Sequence, residues 1–587
     1  MSINRKKLFT SALAVAVVSS SMLFPSITHA DKKKMADIEE EILLAKKHET
    51  IQKIRSLDEQ RESVLKNLKK SSKSSNAPAN TPDQNVKEAT FTGSIAYREI
   101  HVYPFDLAVG GEVKVEDING SNLAYDFYNH DTDTYHEADT NLPAGKYSLE
   151  VYVLNEDLVT PQSYEIKVSN ITFKNAPDSS APKLNISSLD RLEKRLDKDT
   201  KDISLKGSHD ADQAMLLSNS GQTQLSKNFD QKLPLDIGLN EMRFMAVENS
   251  GNLTLKYPAL TVPGTKRLGG ANRYDVSANI SKEMFKGSES ASTVIITRSD
   301  LYPDALSGGI LAGLEKAPIL LSDQRNHTLP AQIKEEVKRL KPERAIILGS
   351  TGSVGTQVEQ ELKGLGVQTI ERIGGVNRFE VSANIATYVN KEIEALHGAD
   401  ALPDTAFIAS GLKFPDALSA SSPSASYFMP ILQVSTDSIP SQIDNFIKNN
   451  SQITNFIIVG GPATVSDNIL TKLESISEDR GGSTERIGGA NRYEVSENIA
   501  NYFGQGKDFH TFAKGTDFPD ALSGTPLATS VDAPMILTPP NQVLNTTKEY
   551  LEGSSEWFDE PHDVFYLLGG EGSIQPNVAN ELSKFIK

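Results

Sequence analysis

The sequence predicts a multidomain chain of mixed fold class, in which three parallel α/β modules follow all-β domains and an N-terminal helical segment. The first observation is an octapeptide pattern, Arg-(Leu/Ile)-Gly-Gly-x-Asn-Arg-(Tyr/Phe), that starts at Arg267, Arg372 and Arg486. Its copies lie 105 and 114 residues apart, a period the size of a whole small domain. The second is a Pro-Asp-Ala-Leu motif, followed 15 residues later each time by a proline and an apolar run. Such a constant spacing indicates packed elements, since loops absorb insertions.

Composition limits the classes of function. At 587 residues the chain is too long for a single core. It has no cysteine, so disulfide bonds, thiol catalysis and thiolate metal sites are excluded. Its formal net charge of −17 disfavours nucleic acid and anionic lipid as partners of the surface as a whole. An anionic partner must therefore bind at local arginine-lined pockets.

Residues 1–30 are predicted to be a secretory signal peptide. Basic residues Arg5–Lys7 precede an apolar segment, and the small residues Thr28 and Ala30 stand where cleavage requires them. Removing this peptide takes away three positive charges and changes the net charge from −17 to −20. A membrane anchor is the weaker alternative, because the apolar run is interrupted and short for a bilayer. No later segment is long and apolar enough to cross a membrane.

Residues 31–70 are rich in Glu, Lys and Arg, and their apolar positions follow a helical period. This segment is either one strand of a coiled coil with a partner helix or a solvated helix without one. Residues 71–88 are rich in Ser, Lys, Asn and Pro, which indicates a flexible linker.

Two β domains are predicted next, over residues 89–175 and 176–264. In the first, short alternating strands are separated by Gly, Asn and Asp, and residues 142–153 resemble the closing strands of pre-peptidase C-terminal domains, which are β-sandwiches. In the second, residues 238–254 resemble the final hairpin of bacterial immunoglobulin-like modules. Both are interpreted as spacer or adhesion domains.

Four carboxylates of the first β domain lie close together in sequence: Asp131, Asp133, Glu137 and Asp139. Oxygen ligands at alternate positions are typical of calcium loops, but the glycine that an EF-hand turn needs is absent. A solvated loop is therefore favoured over a calcium site. No other metal and no cofactor is expected.

In the first repeat, apolar strands alternate with helices. The strands are predicted at Thr293–Thr297, Pro318–Leu321, Arg344–Leu348 and Gln368–Ile373, and the helices at Tyr274–Met284, Ala305–Glu315, Pro330–Leu340 and Thr356–Lys363. This alternation predicts a parallel sheet covered on both faces. In such sheets ligands bind beyond the carboxyl ends of the strands, which is where the repeated motifs fall.

The charged residues of these motifs are the candidate binding groups: Arg267, Arg273, Arg372, Arg378, Arg486, Arg492, Asp304, Asp416 and Asp520. Arginine suits carboxylate or phosphate, although each arginine can instead pair with the aspartate or a neighbouring domain. The aspartates are favoured as helix N-caps over catalytic acids. No nucleotide-binding motif is present, and the histidines do not recur between repeats.

Together, R-[IL]-G-G-x-N-R-[YF], F-P-D-A-L, P-I-L-L and L-G-G resemble the cell-wall-binding type 2 repeat of exported Gram-positive proteins. The resemblance covers repeats at 265–370, 371–484 and 485–587. It implies Rossmann-like modules in a pseudo-threefold trimer that binds an anionic, teichoic-acid-like wall polymer or peptidoglycan. It also implicates the proline-apolar segments, here Ile319, Leu320, Leu321, Ile431, Leu432, Ile536 and Leu537. Gln433 and Met535 depart from the pattern, so the three junctions are expected to be unequal.

The favoured function is a secreted, wall-anchored cell-surface protein without enzymatic activity. The alternative is an amidase-like cell-wall hydrolase, or a hydrolase modifier, with a catalytic site in residues 31–264. No paired catalytic carboxylates, HExxH motif or Ser-His arrangement in that region supports the alternative.

Overall fold

The computed structural model describes residues 85–587, except 120–122, 133, 154, 156–157, 287–290, 505–507, 559–560 and 587. The predicted signal peptide, the helical segment and the linker up to residue 84 lie outside the described residues. The described chain forms two compact units, divided between Val262 and Pro263. None of its described helices has the length and apolar character that a membrane span requires.

The described part of the first unit is built of β-strands. They are β1 Val86–Ile95, β2 Glu99–Val109, β3 Gly111–Glu112, β4 Lys114–Asp117, β5 Ala124–Asn129, β6 Thr134–His136, β7 Asn141–Leu142, β8 Gly145–Tyr152, β9 Gln162–Phe173, β10 Leu184–Asn185, β11 Glu193–Arg195, β12 Asp202–His209, β13 Gln213–Ser218, β14 Gly221–Leu225, β15 Asn228–Pro234, β16 Gly238–Glu241, β17 Arg243–Val247, β18 Leu253–Lys256 and β19 Ala259–Val262. Because β1 begins at Val86, the last residues of the predicted linker belong to a sheet.

One eleven-stranded sheet runs through both predicted β domains. Strand β18 pairs antiparallel with β2, so that Leu253 lies opposite Val102 and Lys256 opposite Glu99. The ammonium of Lys256 forms an ion pair with the carboxylate of Glu99, which is buried. The local sequence pattern predicts strands on each side of this junction. It does not predict their pairing, because the partners are distant in sequence.

The second unit contains strands and helices in alternation. The strands are β20 Gly264–Leu268, β21 Thr293–Arg298, β22 Ile319–Ser322, β23 Arg344–Leu348, β24 Thr369–Ile373, β25 Thr405–Ser410, β26 Ile431–Val434, β27 Asn455–Val459, β28 Thr484–Ile487, β29 Phe509–Lys514, β30 Met535–Thr538 and β31 Val564–Leu568. The α-helices are α1 Arg273–Met284, α2 Gly309–Leu314, α3 Ala331–Leu340, α4 Thr356–Gly364, α5 Arg378–His397, α6 Pro415–Ser426, α7 Ser441–Asn449, α8 Asp467–Asp479, α9 Arg492–Tyr502, α10 Pro519–Ser530, α11 Asn545–Phe558 and α12 Pro576–Leu582. Two short 3-10 helices, Ala399–Ala401 and Ser583–Phe585, complete the described elements.

These elements form three four-stranded parallel sheets. The first module contains the sheet β22-β21-β23-β24, the second β26-β25-β27-β28 and the third β30-β29-β31-β20. The strands and helices predicted for the first repeat are confirmed to within a few residues, with one exception. Helix α2 begins at Gly309 and not at Ala305, whereas α6 and α10 begin at their Pro-Asp-Ala-Leu motifs. Two adjacent glycines, Gly308 and Gly309, weaken helix formation in the first copy.

Each octapeptide strand completes the sheet of a different repeat from the one it introduces. Strand β24 pairs with β23 of the first module, and β28 pairs with β27 of the second. Strand β20, the earliest of the three, pairs in parallel with β31 of the third module, with Lys266 opposite Tyr566. The boundaries of the sequence repeats therefore differ from those of the sheets by one strand. Residues 265–268, at the start of the predicted first repeat, belong to the sheet of the third module.

The two faces of each sheet carry different helices. In the first module, α1, α3 and α4 share a core with alternate strand residues such as Ile296, Leu320 and Ile347. Helix α2 lies on the other face, where Gly308 approaches the side chain of Leu348. The corresponding helices α2, α6 and α10 contact one another in all three pairs. Small residues in these helices allow this close approach.

A buried histidine distinguishes the core of the third module. His510 lies on β29 at the register position that Val294 and Ala406 occupy in β21 and β25. It is fully buried, and its ring centroid lies 4.6 Å from that of His562. Burial, and then the nearby His562, lower the pKa of His510 well below its usual range.

The substitution His510→Val should remove part of the acid sensitivity of the third module. Because the folded-state pKa of His510 is depressed, the unfolded chain binds an extra proton below its ordinary pKa of about 6.5, and stability falls as pH decreases from there. The wild-type free energy of unfolding should fall more steeply than that of the variant, by up to about 1.4 kcal/mol per pH unit. Hydrogen exchange in β29 and β31 during urea unfolding, measured between pH 7.5 and 5, gives the stability of this module. Parallel curves for the two proteins would contradict the assignment.

Candidate functional site

The octapeptides form strand-to-helix turns at the carboxyl edges of the three sheets. The asparagine of each octapeptide caps the following helix, as Asn272 Oδ1 does by accepting from the backbone N–H groups of Tyr274 and Asp275 at 2.9 and 3.1 Å. Asp275 in turn accepts from the backbone N–H of Ala271. The same bonds recur in the other copies, with caps at Asn377 and Asn491. The sequence showed this recurring asparagine, but its capping role was missed.

The first arginine of each octapeptide ties neighbouring strands together. A guanidinium Nη1 donates to a glycine carbonyl at the end of the adjacent strand, from Arg267 to Gly569 at 3.1 Å, from Arg372 to Gly349 at 2.9 Å and from Arg486 to Gly460 at 2.9 Å. Arg372 also pairs with Glu359, and Arg486 with Asp467. These three arginines therefore have mainly structural partners.

The aspartates of the Pro-Asp-Ala-Leu motifs do not act as the predicted N-caps. No side-chain cap bond forms at the starts of α6 and α10, since Asp416 and Asp520 lie inside the first turn. Their carboxylates instead hold the loop after the third strand of each sheet. Ser353 donates to Asp304 at 2.5 Å, and Ser573 to Asp520 at 2.6 Å.

Thr464 replaces these serines in the second module. Burial raises the pKa of Asp416, while Thr464, Arg492 and Lys413 act in the opposite direction. Burial also raises the pKa of Asp520. An aspartate oxygen fills the space beside a left-handed glycine in every module, at Gly349, Gly460 and Gly569.

The proline-apolar segments lie inside the modules. The seven residues predicted to bind polymer here are at most 1% exposed: Ile319, Leu320, Leu321, Ile431, Leu432, Ile536 and Leu537. Leu320, Leu432 and Ile536 join the cores of their own modules. Their neighbours along each strand point to the opposite face of the sheet. Side chains buried this deeply cannot touch a polymer. Their predicted contact role is corrected to a packing role.

The second arginine of each octapeptide lies at a junction between modules. Arg378 of the second module stacks over the ring of Tyr302 in the first, with its guanidinium carbon 5.9 Å from the centroid. Arg492 of the third stacks over Phe414 of the second at 5.7 Å. Arg273 of the first lies 3.8 Å from Asp517 of the third. The three guanidinium groups thus follow one cyclic order around the modules.

Three aromatic rings bring these junctions together. Tyr302, Phe414 and Phe518, each the residue before a Pro-Asp-Ala-Leu motif, have centroids 5.4, 5.7 and 6.0 Å apart. Below them the central helices meet at equivalent positions, where the hydroxyls of Ser421 and Thr525 lie 2.7 Å apart. We call the three rings with Arg273, Arg378 and Arg492 the arginine–aromatic surface. The arginine side chains are only partly buried.

Carboxylates of the loop that was considered as a calcium candidate have other partners. Asp131 accepts the backbone N–H of Lys146 at 2.9 Å, and Asp139 pairs with Lys114 at 3.3 Å. Asp133 lies outside the described residues. Among the residues that the structure describes, no group of three or more His, Cys, Asp or Glu side chains is arranged to hold a metal ion.

The three parallel sheets, each with the same motifs at its carboxyl edge, define a class of protein built from tandem α/β modules. Residues 267–359, 372–470 and 486–579 match the family model of cell wall binding domain 2. The C-terminal part of the chain therefore contains three repeats that each match this family model.

Two curated proteins of Bacillus subtilis (strain 168) are similar to the chain. N-acetylmuramoyl-L-alanine amidase LytC is 29% identical over 324 residues, which are 55% of this chain and 59% of the amidase. The amidase enhancer is 26% identical over 319 residues, which are 54% of this chain and 40% of the enhancer. The chain thus spans about half the length of these relatives.

Among solved structures, Cwp6 from Clostridium difficile is similar in fold. The match has a TM-score of 0.52 at 21% identity and covers 70% of this chain and 68% of Cwp6. This likeness concerns the fold alone.

The left-handed glycine beside Asp416 provides a test of the site's construction. Gly460 has φ +99°, and a Cβ there would lie 2.2 Å from a carboxylate oxygen of Asp416. Gly460→Ala should lower the free energy of unfolding by about 1–3 kcal/mol, through backbone strain and displacement of the carboxylate. The neighbouring Gly461→Ala is the matched control, because nothing lies within 4 Å of its Cβ position. The measurement is urea unfolding followed by far-UV circular dichroism. Equal unfolding midpoints for the two variants would contradict this prediction.

Proposed function

We propose that this is an exported surface protein, held non-covalently to the Gram-positive cell wall by three C-terminal repeats that bind an anionic, teichoic-acid-like wall polymer. The match of all three repeats to cell wall binding domain 2 carries the proposal. The predicted signal peptide supports export. Residues 31–264 are then the displayed part of the protein, with the helical segment 31–70 available to a coiled-coil partner.

The three modules are proposed to act as one pseudo-threefold unit of Rossmann-like domains. Two observations support this arrangement: the central helices α2, α6 and α10 contact one another, and Tyr302, Phe414 and Phe518 meet as a triangle. The offset strands support it as well, because each sheet is completed by a strand that leads into another module. A binding surface at the centre of this unit includes residues from all three modules.

The arginine–aromatic surface is the proposed contact region for the polymer. The first arginines hold glycine carbonyls at strand ends, two of them also form ion pairs, and the proline-apolar segments are buried. Arg378 and Arg492 also donate to backbone carbonyls, but they stack over a ring of another module and have no acidic ion-pair partner among the described residues. The contact with polymer is therefore assigned to the second arginines, Arg273, Arg378 and Arg492. Planar guanidinium groups bind phosphate or carboxylate oxygens through two parallel hydrogen bonds. Aromatic rings beside them offer apolar area to the sugar or glycerol units between the charges.

The chain itself is proposed to have no enzymatic activity. The alternative is a cell-wall hydrolase or a hydrolase modifier. Its support is that the two similar curated proteins are an amidase and an amidase enhancer. Release of soluble muropeptides from purified peptidoglycan by the intact protein would support the alternative. Absence of release at a stoichiometry that gives full wall binding would support the anchor.

Wall binding should depend on anionic polymer and on the arginine–aromatic surface. The full chain should sediment with purified walls at low salt, and stripping the anionic polymer or raising salt should release it, since exposed charge contacts are screened. The triple variant Arg273→Gln, Arg378→Gln and Arg492→Gln should lose binding. The control variant Lys338→Gln, Lys448→Gln and Lys472→Gln changes the net charge equally on exposed helix positions and should bind normally. Binding that survives both stripping and the arginine substitutions would refute the proposal.

A further inference from the structure

The three junctions of the arginine–aromatic surface have different charge. The difference arises at the position two residues before each Pro-Asp-Ala-Leu proline, which holds Leu301 in the first module, Lys413 in the second and Asp517 in the third. Each of these residues precedes one of the three rings, and in the first and second modules the arginine of the next module stacks over that ring. The same backbone position therefore presents an apolar, a cationic and an anionic side chain.

We propose that the junction between the second and third modules, with Arg492 and Lys413, is the principal anion-binding site of the protein. This inference rests on the proposed function and assigns that function to one of three structurally equivalent places. The ligand chemistry it fits is a phosphate group on a polyol or sugar chain, with the phosphate between the two cations and the carbon chain against the ring of Phe414.

Arg492 is held by one backbone hydrogen bond and one aromatic ring, and its charge is not paired with a carboxylate. Its Nη1 donates to the carbonyl oxygen of Gly515 at 2.6 Å, and its guanidinium lies over the ring of Phe414. Lys413, next to that ring, is exposed. Both cations oppose the effect of burial, which raises the pKa of Asp416. In the part of the chain that the structure describes, neither Arg492 nor Lys413 forms an ion pair with an acidic side chain.

At the junction between the third and first modules, carboxylates offset the positive charge of the arginine. Arg273 lies 3.8 Å from the carboxylate of Asp517, and it also acts on Asp300 and Asp520. Asp300 is shared with Arg298, which bonds it through two nitrogens at 2.8 and 3.0 Å. An incoming phosphate would meet these carboxylates, and like charges repel. This junction should bind an anion weakly.

The junction between the first and second modules is intermediate. Arg378 stacks over Tyr302 without an acidic ion-pair partner among the described residues, and the neighbouring Leu301 is exposed but uncharged. The hydroxyl of Tyr302 donates to the carbonyl of Leu412 at 2.8 Å. Gln433 donates to the carbonyl of Pro303 at 2.7 Å in the same junction. One cation and a polar rim give less attraction for phosphate than the paired cations of the second junction.

The test compares single substitutions at equivalent positions of the full chain. The probes are a synthetic poly(glycerol phosphate) of defined length and uncharged dextran, and the readouts are the dissociation constant at two salt concentrations and the thermal unfolding midpoint. Arg492→Gln and Lys413→Gln should each weaken poly(glycerol phosphate) binding about ten-fold, the loss expected for one charge-assisted contact. Arg273→Gln should change it less than two-fold, and Arg378→Gln should fall between them. Dextran should not bind measurably.

Two further variants keep the inference testable if a substitution destabilises the fold. Arg492→Lys should recover part of the lost affinity, because it restores the charge without the planar fork. Asp517→Lys should strengthen binding several-fold, because it gives the third junction the same paired cations as the second. Equal losses at Arg273, Arg378 and Arg492 would overturn the assignment but leave the proposed function intact. If none of the arginine variants changes binding and polymer-stripped walls bind as well as intact ones, the proposed function fails too.

Discussion

The structure of the C-terminal unit depends on one constraint: the strand of each octapeptide closes the sheet of one module and leads directly into the first helix of another. The strand that carries each octapeptide completes the preceding module, and the first of these strands, β20, completes the third. A parallel sheet with a missing strand exposes unpaired backbone groups and an apolar edge. The third module therefore depends on β20, from the start of the unit, whereas the four strands of the first module and of the second are consecutive in sequence.

The same constraint shapes the proposed binding surface. Since an octapeptide begins in one module and ends in the next, its first arginine holds a strand end and its second reaches across a junction. Arg372 thus bonds the carbonyl of Gly349, whereas Arg378, six residues later, lies over Tyr302. One short motif therefore contains two arginines with different partners. The geometry recurs three times, and the different residues at one equivalent position, such as Lys413 and Asp517, give the junctions different charge.

Much of this fold follows from local sequence patterns. Apolar runs such as Thr293–Thr297 predict buried parallel strands, and the turn motifs predict the edge at which the charged residues meet. What the patterns do not contain is long-range pairing, including β18 with β2 and β20 with β31. The burial of Ile319 to Leu321 is not predictable for a related reason: an apolar strand beside a binding edge has the same sequence whether it contacts a ligand or packs against helices. Lys413 carried no recurring signal, because it differs in every copy.

The central claim, that strand β20 closes the third module, is tested most directly by hydrogen exchange on the full chain. The backbone bonds from Gly264 to Asp563 and from Gly569 to Leu268 show that alternate residues of β20 face β31, so the N–H of Lys266 also points toward it. Lys266→Pro removes that N–H, whereas Lys266→Ala removes only the side chain and its ion pair with Glu283. The account predicts that the proline variant alone speeds exchange about ten-fold or more in β29 and β31, with β21 and β23 unchanged. Faster exchange first in β21 and β23, or equal effects of the two variants, would contradict it.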